Sequence, residues 1–357
     1  MLAVGAMLLA ACGSGDDQNS TTSADAETVP AQPTDTSPDD PASSEPVATQ
    51  PRADAPVVVA TMSIWADVTS NVACDGLAIV EMIIPPGGDP HSFEPSLRDR
   101  ETMDNADLVV ANGLFLEESL DDTIDAVESN GVAVLRVGDG LDPLPTGEAT
   151  HDEEDHDDED HDDESHDDES HDDHDHGDFD PHVWWDASRM AAAVPLIADA
   201  LAEVGVDRAA LDVCVAQYVE ELTTLDADVT AIVAPLPAEQ RILVTNHDSL
   251  SYFADRYDFE ILGSVIPSSS SLAATSPAEL DALAADIEAT GVSAIFADVQ
   301  NSADDANALA NRIGDVEVVD MLTDTLDEPG SEAGTYTGWL RQNVQTIVDA
   351  LNQSPAN

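Results

Sequence analysis

Short apolar runs rich in β-branched residues alternate with amphipathic stretches from residue 57 onward. Val57–Thr61, Glu81–Pro85, Leu108–Ala111 and Val132–Leu135 read as strands, since short, mostly apolar runs between turn formers suit a strand buried on both faces. Ile64–Ala73 and Ser96–Asn105 lie between them and read as helices. In a second series Arg241–Thr245, Phe259–Leu262, Ala294–Ala297 and Val316–Val319 read as strands, with Ser249–Tyr257 and Pro277–Ala289 as helices. Between the series, Trp184–Val204 is apolar-rich and free of glycine, and Pro195 within it predicts a kink or a bend. Two successive β/α series predict an α/β protein of two lobes, each with a largely parallel sheet and flanking helices. In such lobes ligands bind in the crevice beyond the carboxyl ends of the strands.

The first 55 residues stand outside this pattern. Met1–Ala11 is apolar, and Leu9-Ala10-Ala11-Cys12 follows a lipobox, which predicts signal cleavage and lipid attachment at Cys12, although no Arg or Lys precedes that cysteine. Residues 13–55 are mostly Ser, Thr, Asp, Pro and Ala and predict a flexible tether. The expected location is therefore extracytoplasmic, on the outer face of the cytoplasmic membrane. There Cys74 and Cys214 form a candidate disulfide. They fall in different predicted lobes, so two separate buried thiols stay open as the alternative.

The chain has 357 residues and a formal net charge of −65, with arginine as its only basic residue besides histidine. Such a surface repels nucleic acid and anionic lipid headgroups and draws in cations. A solubility adaptation explains the acidity equally well. It does not explain the histidines.

Of ten histidines, seven are packed into one acidic tract: His151, His156, His161, His166, His171, His174 and His176. The first five recur every fifth residue. On a helix that step advances about 140° beyond a full turn, so they share no face. The tract predicts a set of weak, oxygen- and nitrogen-rich metal sites without a preformed geometry. The other three histidines are placed singly. His91 follows the second predicted strand, His182 opens the long apolar stretch, and His247 follows the strand ending at Thr245. Asp320 follows Val316–Val319. Three imidazoles and a carboxylate complete a tetrahedral zinc shell and leave no position for an activated water. The set therefore predicts binding over catalysis. Because neutral imidazole must bind, protons are expected to compete near the reference histidine pKa of about 6.5.

The stretches Pro-Pro-Gly-Gly-Asp-Pro-His-Ser-Phe-Glu-Pro-Ser around His91, Asp-Pro-His-Val-Trp-Trp-Asp around His182 and Thr-Asn-His-Asp-Ser-Leu around His247 together resemble the metal-specific solute-binding proteins of bacterial ABC importers, in particular the zinc-uptake branch. Ala-Ile-Phe-Ala-Asp-Val-Gln, ending at Gln300, and Asp320 carry the resemblance further. It implies two α/β lobes joined by one long linker helix, with the metal in the inter-lobe cleft on His91, His182, His247 and Asp320. The implied boundaries are a first lobe over 56–181 containing the His/Asp-rich loop 151–178, a linker helix over 182–206 and a second lobe over 207–357. Met321-Leu322-Thr323-Asp324 after Asp320 departs from zinc members, so Asp324 or water stays open as the fourth ligand. Manganese-binding relatives usually carry glutamate at the position of His247.

The resemblance implies a non-enzymatic zinc receptor, acting as a monomer, that serves an ABC permease and, through it, an ATPase. A manganese receptor of the same family is the nearest alternative. From other classes, an extracytoplasmic zinc hydrolase would need an open metal position and a base such as Glu94. No His-Glu-x-x-His motif is present. A passive zinc-storing adhesin would use the tract alone.

Overall fold

The computed structural model describes residues 55–146 and 177–352. The expectations for Cys12, for residues 13–54 and for the seven clustered histidines lie outside the described residues.

The first lobe runs β1 (Val57–Ala60), α1 (Ser63–Val72), β2 (Ile79–Met82), α2 (Leu97–Asp104), β3 (Leu108–Ala111), α3 (Asp121–Ser129) and β4 (Ala133–Arg136). Its strands are all parallel, in the order β2-β1-β3-β4. Two consecutive helices follow, α4 (Ala187–Glu203) and α5 (Arg208–Val233). The second lobe runs β5 (Ile242–His247), α6 (Ser251–Tyr257), β6 (Glu260–Ile266), α7 (Pro277–Thr290), β7 (Ala294–Asp298), α8 (Asp304–Ile313) and β8 (Glu317–Met321), and α9 (Tyr336–Asn352) comes after it. Its sheet is also parallel and repeats the same order, β6-β5-β7-β8. The strand order reverses beside β1 in one lobe and beside β5 in the other, which opens a crevice at the carboxyl edge of each sheet.

The apolar runs become strands for the expected reason. β3 and β7 are buried along their whole length, as suits the inner strands of a parallel sheet. Polar punctuation starts the helices. Ser96 and Ser276 make capping boxes at α2 and α7, and Asp186 and Asp207 cap α4 and α5.

The connection differs from a single linker helix over 182–206. Residues Val183–Trp185 make one 3-10 turn, α4 starts at Ala187, and Gly205 at φ 98° breaks the path before α5. The longer helix is α5, at 26 residues, or roughly 39 Å. It packs on α1 and α4 along the first lobe and on α9 beside the second. Its buried residues Leu211, Cys214, Tyr218, Leu222, Leu225, Val229 and Val233 form one stripe at spacings of three or four. Pro195 lies on the exposed face of α4, which runs through it.

Cys74 and Cys214 are joined in a disulfide, with Cα atoms 5.8 Å apart. Cys214 belongs to the second turn of α5, where that helix leans on α1. This is how cysteines from two predicted lobes meet. The larger core includes the fully buried Trp65, Trp184, Trp185 and Trp339 and runs from the first lobe through α4, α5 and α9. A smaller core lies in the second lobe, where Val244 and Ile295 pack with residues of α7 and α8.

Candidate metal site

The three singly placed histidines converge. His182 follows Asp180-Pro181; Asp180 Oδ1 accepts the His182 backbone N–H at 2.9 Å and lies 2.8 Å from its Nδ1. His247 is the last residue of β5, and its Nδ1 lies 2.7 Å from Oδ2 of Asp298, the last residue of β7. Asn246 Nδ2 donates to that same oxygen at 3.1 Å. A carboxylate behind Nδ1 keeps the proton there and turns the Nε2 lone pair outward. The two Nε2 atoms then face each other at 3.2 Å. At that distance the two nitrogens need a shared cation, either a proton donated from one Nε2 to the other or a metal ion between them.

The electrostatics agree. Burial works against charge on His247, but the Asp298 carboxylate outweighs it through its charge and hydrogen bond, aided by Asp324 and Asp89, and lifts the His247 pKa to about 10. Burial would raise the pKa of Asp298, yet His247 holds it below the ordinary carboxylate range.

His91 closes the triangle. Its ring centroid is 5.5 Å from that of His182 and 5.6 Å from that of His247. Asp89 Oδ1 accepts the His91 backbone N–H at 3.0 Å, again across an Asp-Pro-His turn. The ring is buried, and neither nitrogen makes a hydrogen bond. Glu118 Oε1 lies 3.5 Å from Nδ1, which leaves Nε2 as the buried nitrogen for a ligand to satisfy.

The carboxylate at the triangle is Asp324, which is fully buried. Its Oδ1 lies 4.0 Å from His182 Nε2 and its Oδ2 3.9 Å from His247 Nε2. Oδ2 accepts from Gln300 Nε2 at 2.8 Å and from Thr323 Oγ1 at 3.2 Å, while Oδ1 is buried without a hydrogen bond. Ligand atoms of His91, His182 and His247 lie within 4.8 Å of one another, and so do those of Asp89, His91 and Asp324. This donor set fits a divalent metal ion. In a tetrahedral shell with Zn–N bonds of 2.0–2.1 Å, neighbouring nitrogens stand roughly 3.3 Å apart, close to the 3.2 Å between the two Nε2 atoms.

Asp320 is not part of this group. It lies within β8, paired with Ala297, and its side chain is exposed. The strand runs on to Met321 before the chain turns inward, so the first acidic residue after Val319 still belongs to the sheet. Glu94 is exposed and outside the group as well. Asp180, Asp298 and Gln300 were not among the expected site residues. The repeated Asp-Pro-His at 89–91 and 180–182 was a readable signal for Asp180; the carboxyl end of a buried strand was a weaker one for Asp298.

His91 also lines a depression beside the site, together with Phe115, Glu118, Gly177, Phe179 and Ser270. Beside it the described residues on either side of 147–176 come together. Pro145 and Phe179 form an antiparallel bridge, Thr146 N–H donates to Asp178 O at 3.1 Å, and Asp180 N–H donates to Leu144 O at 2.8 Å.

The family described as the periplasmic component A of the zinc-uptake complex matches residues 58–350. Over 303 residues the chain is 29% identical to the zinc-binding protein TroA of Treponema pallidum, covering 83% of this chain and 89% of that protein. Over 297 residues it is 27% identical to the manganese-binding lipoprotein MntA of Halalkalibacterium halodurans, covering 83% and 88%. The solved structure of periplasmic TroA from Treponema pallidum superposes with a TM-score of 0.71 at 28% identity, covering 83% of this chain and 99% of that one.

Proposed function

The chain belongs to the family of the periplasmic component A of zinc-uptake complexes, and from that premise we propose that it is an extracytoplasmic receptor that captures Zn²⁺ and delivers it to an ABC permease driven by an ATPase. The observation that carries the reading is the pair of Nε2 atoms facing each other at 3.2 Å, each imidazole backed by a buried carboxylate. A ring nitrogen of His91 and the free oxygen of Asp324 supply the third and fourth donors. Four protein donors fill a tetrahedral shell, which favours carrying the ion over activating water on it. Three nitrogens and one oxygen favour zinc over manganese, which suits oxygen-rich shells.

A manganese receptor is the second reading. It draws on the oxygen-rich group Asp89, His91 and Asp324 and on the manganese named for the MntA relatives. Lipid attachment at Cys12, a monomeric state and weak metal capture by the 151–176 histidines complete the proposal. The tract would then concentrate zinc near the site, since the residues that flank 147–176 come together beside it.

A chain with residues 147–176 excised, rejoining Thr146 to Gly177, separates the two metal pools, because those ends are already held together. Competition titration against a chromogenic chelator should find one tight zinc per chain and a much weaker manganese. Loss of the tight zinc on excision, or manganese displacing zinc at equal concentration, would overturn the zinc reading.

A further inference from the structure

Asp324 is a residue of the second half of the chain, yet the first lobe grips the segment that carries it. Thr325 comes next. Gly87 N–H donates to Thr325 Oγ1 at 2.8 Å, and Ser63 Oγ lies 3.3 Å from the same atom. Leu326 N–H donates to Ser63 Oγ at 2.9 Å, and Thr325 Oγ1 donates to Leu326 O at 3.1 Å. The single Thr325 proton is therefore taken, and the Ser63 hydroxyl is the donor between the two side chains. Both residues are buried, with 4% of Ser63 and 1% of Thr325 exposed. Every polar atom of this joint has a partner.

The placement gives the joint its meaning. Ser63 opens α1 just past the carboxyl end of β1, and Gly87 belongs to the loop that carries His91. One joint thus sets both the path of the Asp324 backbone and its distance from the His91 loop. The Asp324 carboxylate itself is held by Gln300 and Thr323, on one oxygen only.

We propose that Ser63 and Thr325 are positioning residues of the metal site: a hydroxyl pair that never touches the ion fixes Asp324 against the histidines from the opposite lobe. The inference rests on the reading of Asp324 as a ligand. It makes ion affinity depend on an inter-lobe contact, so any motion that parts Ser63 from Thr325 withdraws the carboxylate first.

The test is a double-mutant cycle on the full chain, with zinc alone as the probe and the first equivalent read by chelator competition. Thr325→Val keeps the shape and removes the hydroxyl. It should weaken zinc about tenfold, the lower end of the effect of losing a supporting partner. Thr325→Ser should restore affinity to within about twofold of the native value, and Ser63→Ala should weaken it several-fold. In an Asp324→Ala background, Thr325→Val should add nothing, because it acts through Asp324. The melting temperature of the metal-free variants reports packing damage separately. An undiminished Thr325→Val effect in the Asp324→Ala background, or no effect in the native one, would overturn the proposal. If Asp324→Ala alone leaves zinc affinity unchanged, the ligand assignment fails, and the joint's role fails with it.

Discussion

Zinc should have to evict a proton from His247. Its pKa of about 10, set against burial by Asp298, leaves the metal-free imidazole essentially fully protonated at pH 7.5. Coordination requires the Nε2 lone pair, so binding releases about one proton from this residue. Displacing that proton costs zinc on the order of 3 kcal/mol at that pH. An imidazole at the reference pKa of about 6.5 would release only about 0.1 proton under the same conditions. Asp298→Asn keeps a hydrogen-bond acceptor behind Nδ1 but removes the charge.

The assay is calorimetry of the tract-excised chain in buffers of different ionisation enthalpy, whose slope gives the protons released. The native site should release about 0.9 proton more than Asp298→Asn at pH 7.5. Affinity should diverge in the same way. Between pH 7 and 8.5 the native zinc affinity should climb roughly 30-fold, about tenfold per unit, while the Asp298→Asn site should change less than about twofold. The sign follows from the raised pKa: the competing proton is bound below about 10 and lost only as the pH rises through it. This moves the competition range well above the 6.5 expected of an ordinary histidine. Equal proton release by the two proteins, or equal pH slopes, would refute the argument that Asp298 charges His247.

Asp324→Asn should weaken zinc by at least tenfold, whereas Asp320→Asn on the exposed face of β8 should leave affinity within about twofold; a reversed order in chelator competition would restore the sequence-based assignment. Replacing both Cys74 and Cys214 by alanine opens a link spanning 140 residues, which the chain-entropy estimate values at about 5 kcal/mol; denaturant unfolding should show a loss of that order with zinc affinity unchanged. Burial raises the pKa of Asp67 to about 6, against the Tyr336 N–H bond that lowers it and with the Glu221 charge adding to the rise. The folded state therefore holds this proton more tightly, a contribution fully present below the reference value near 3.8 and lost as the pH rises through about 6. Asp67→Asn should accordingly stabilise the protein by up to about 3 kcal/mol at pH 7.5 and by little at pH 4, and a gain that is flat with pH would contradict the cause.

The alternation of apolar runs and helical stretches was enough to read two parallel α/β lobes, because strands buried on both faces leave a nearly continuous hydrophobic signature. What it hid was the connection. The stretch from Trp184 reads as one long helix, with a bend at Pro195, since it carries no glycine before Gly205, yet Asp186 caps a new start and the longer helix begins only at Arg208. The seven buried positions of α5 do follow helical spacing, but Thr, Asp and Ala between them blur the stripe. The disulfide was open for the same reason: with α5 unassigned, nothing placed Cys214 against α1.

The site was legible where a residue type carried the chemistry and illegible where position did. Three histidines outside a histidine-rich tract identify themselves. A fourth donor had to be sought among acids in a chain holding 75 of them; the sequence pointed to Asp320 with Asp324 left open, and it is Asp324 that lies beside the histidines. Asp320 still alternates with its neighbours in the pleat and faces water; Asp324 comes only after the chain has left the sheet past Met321, just before Thr325 and Leu326 meet the first lobe. No local pattern announces that contact, because its partners, Ser63 and Gly87, lie more than two hundred residues upstream. The Asp-Pro-His turns are the opposite case. In each, proline fixes the path between carboxylate and histidine, so the aspartate two residues back accepts the histidine's own backbone N–H. In the second turn the same oxygen reaches Nδ1 as well, so three consecutive residues favour the tautomer that leaves the Nε2 lone pair facing the other histidines.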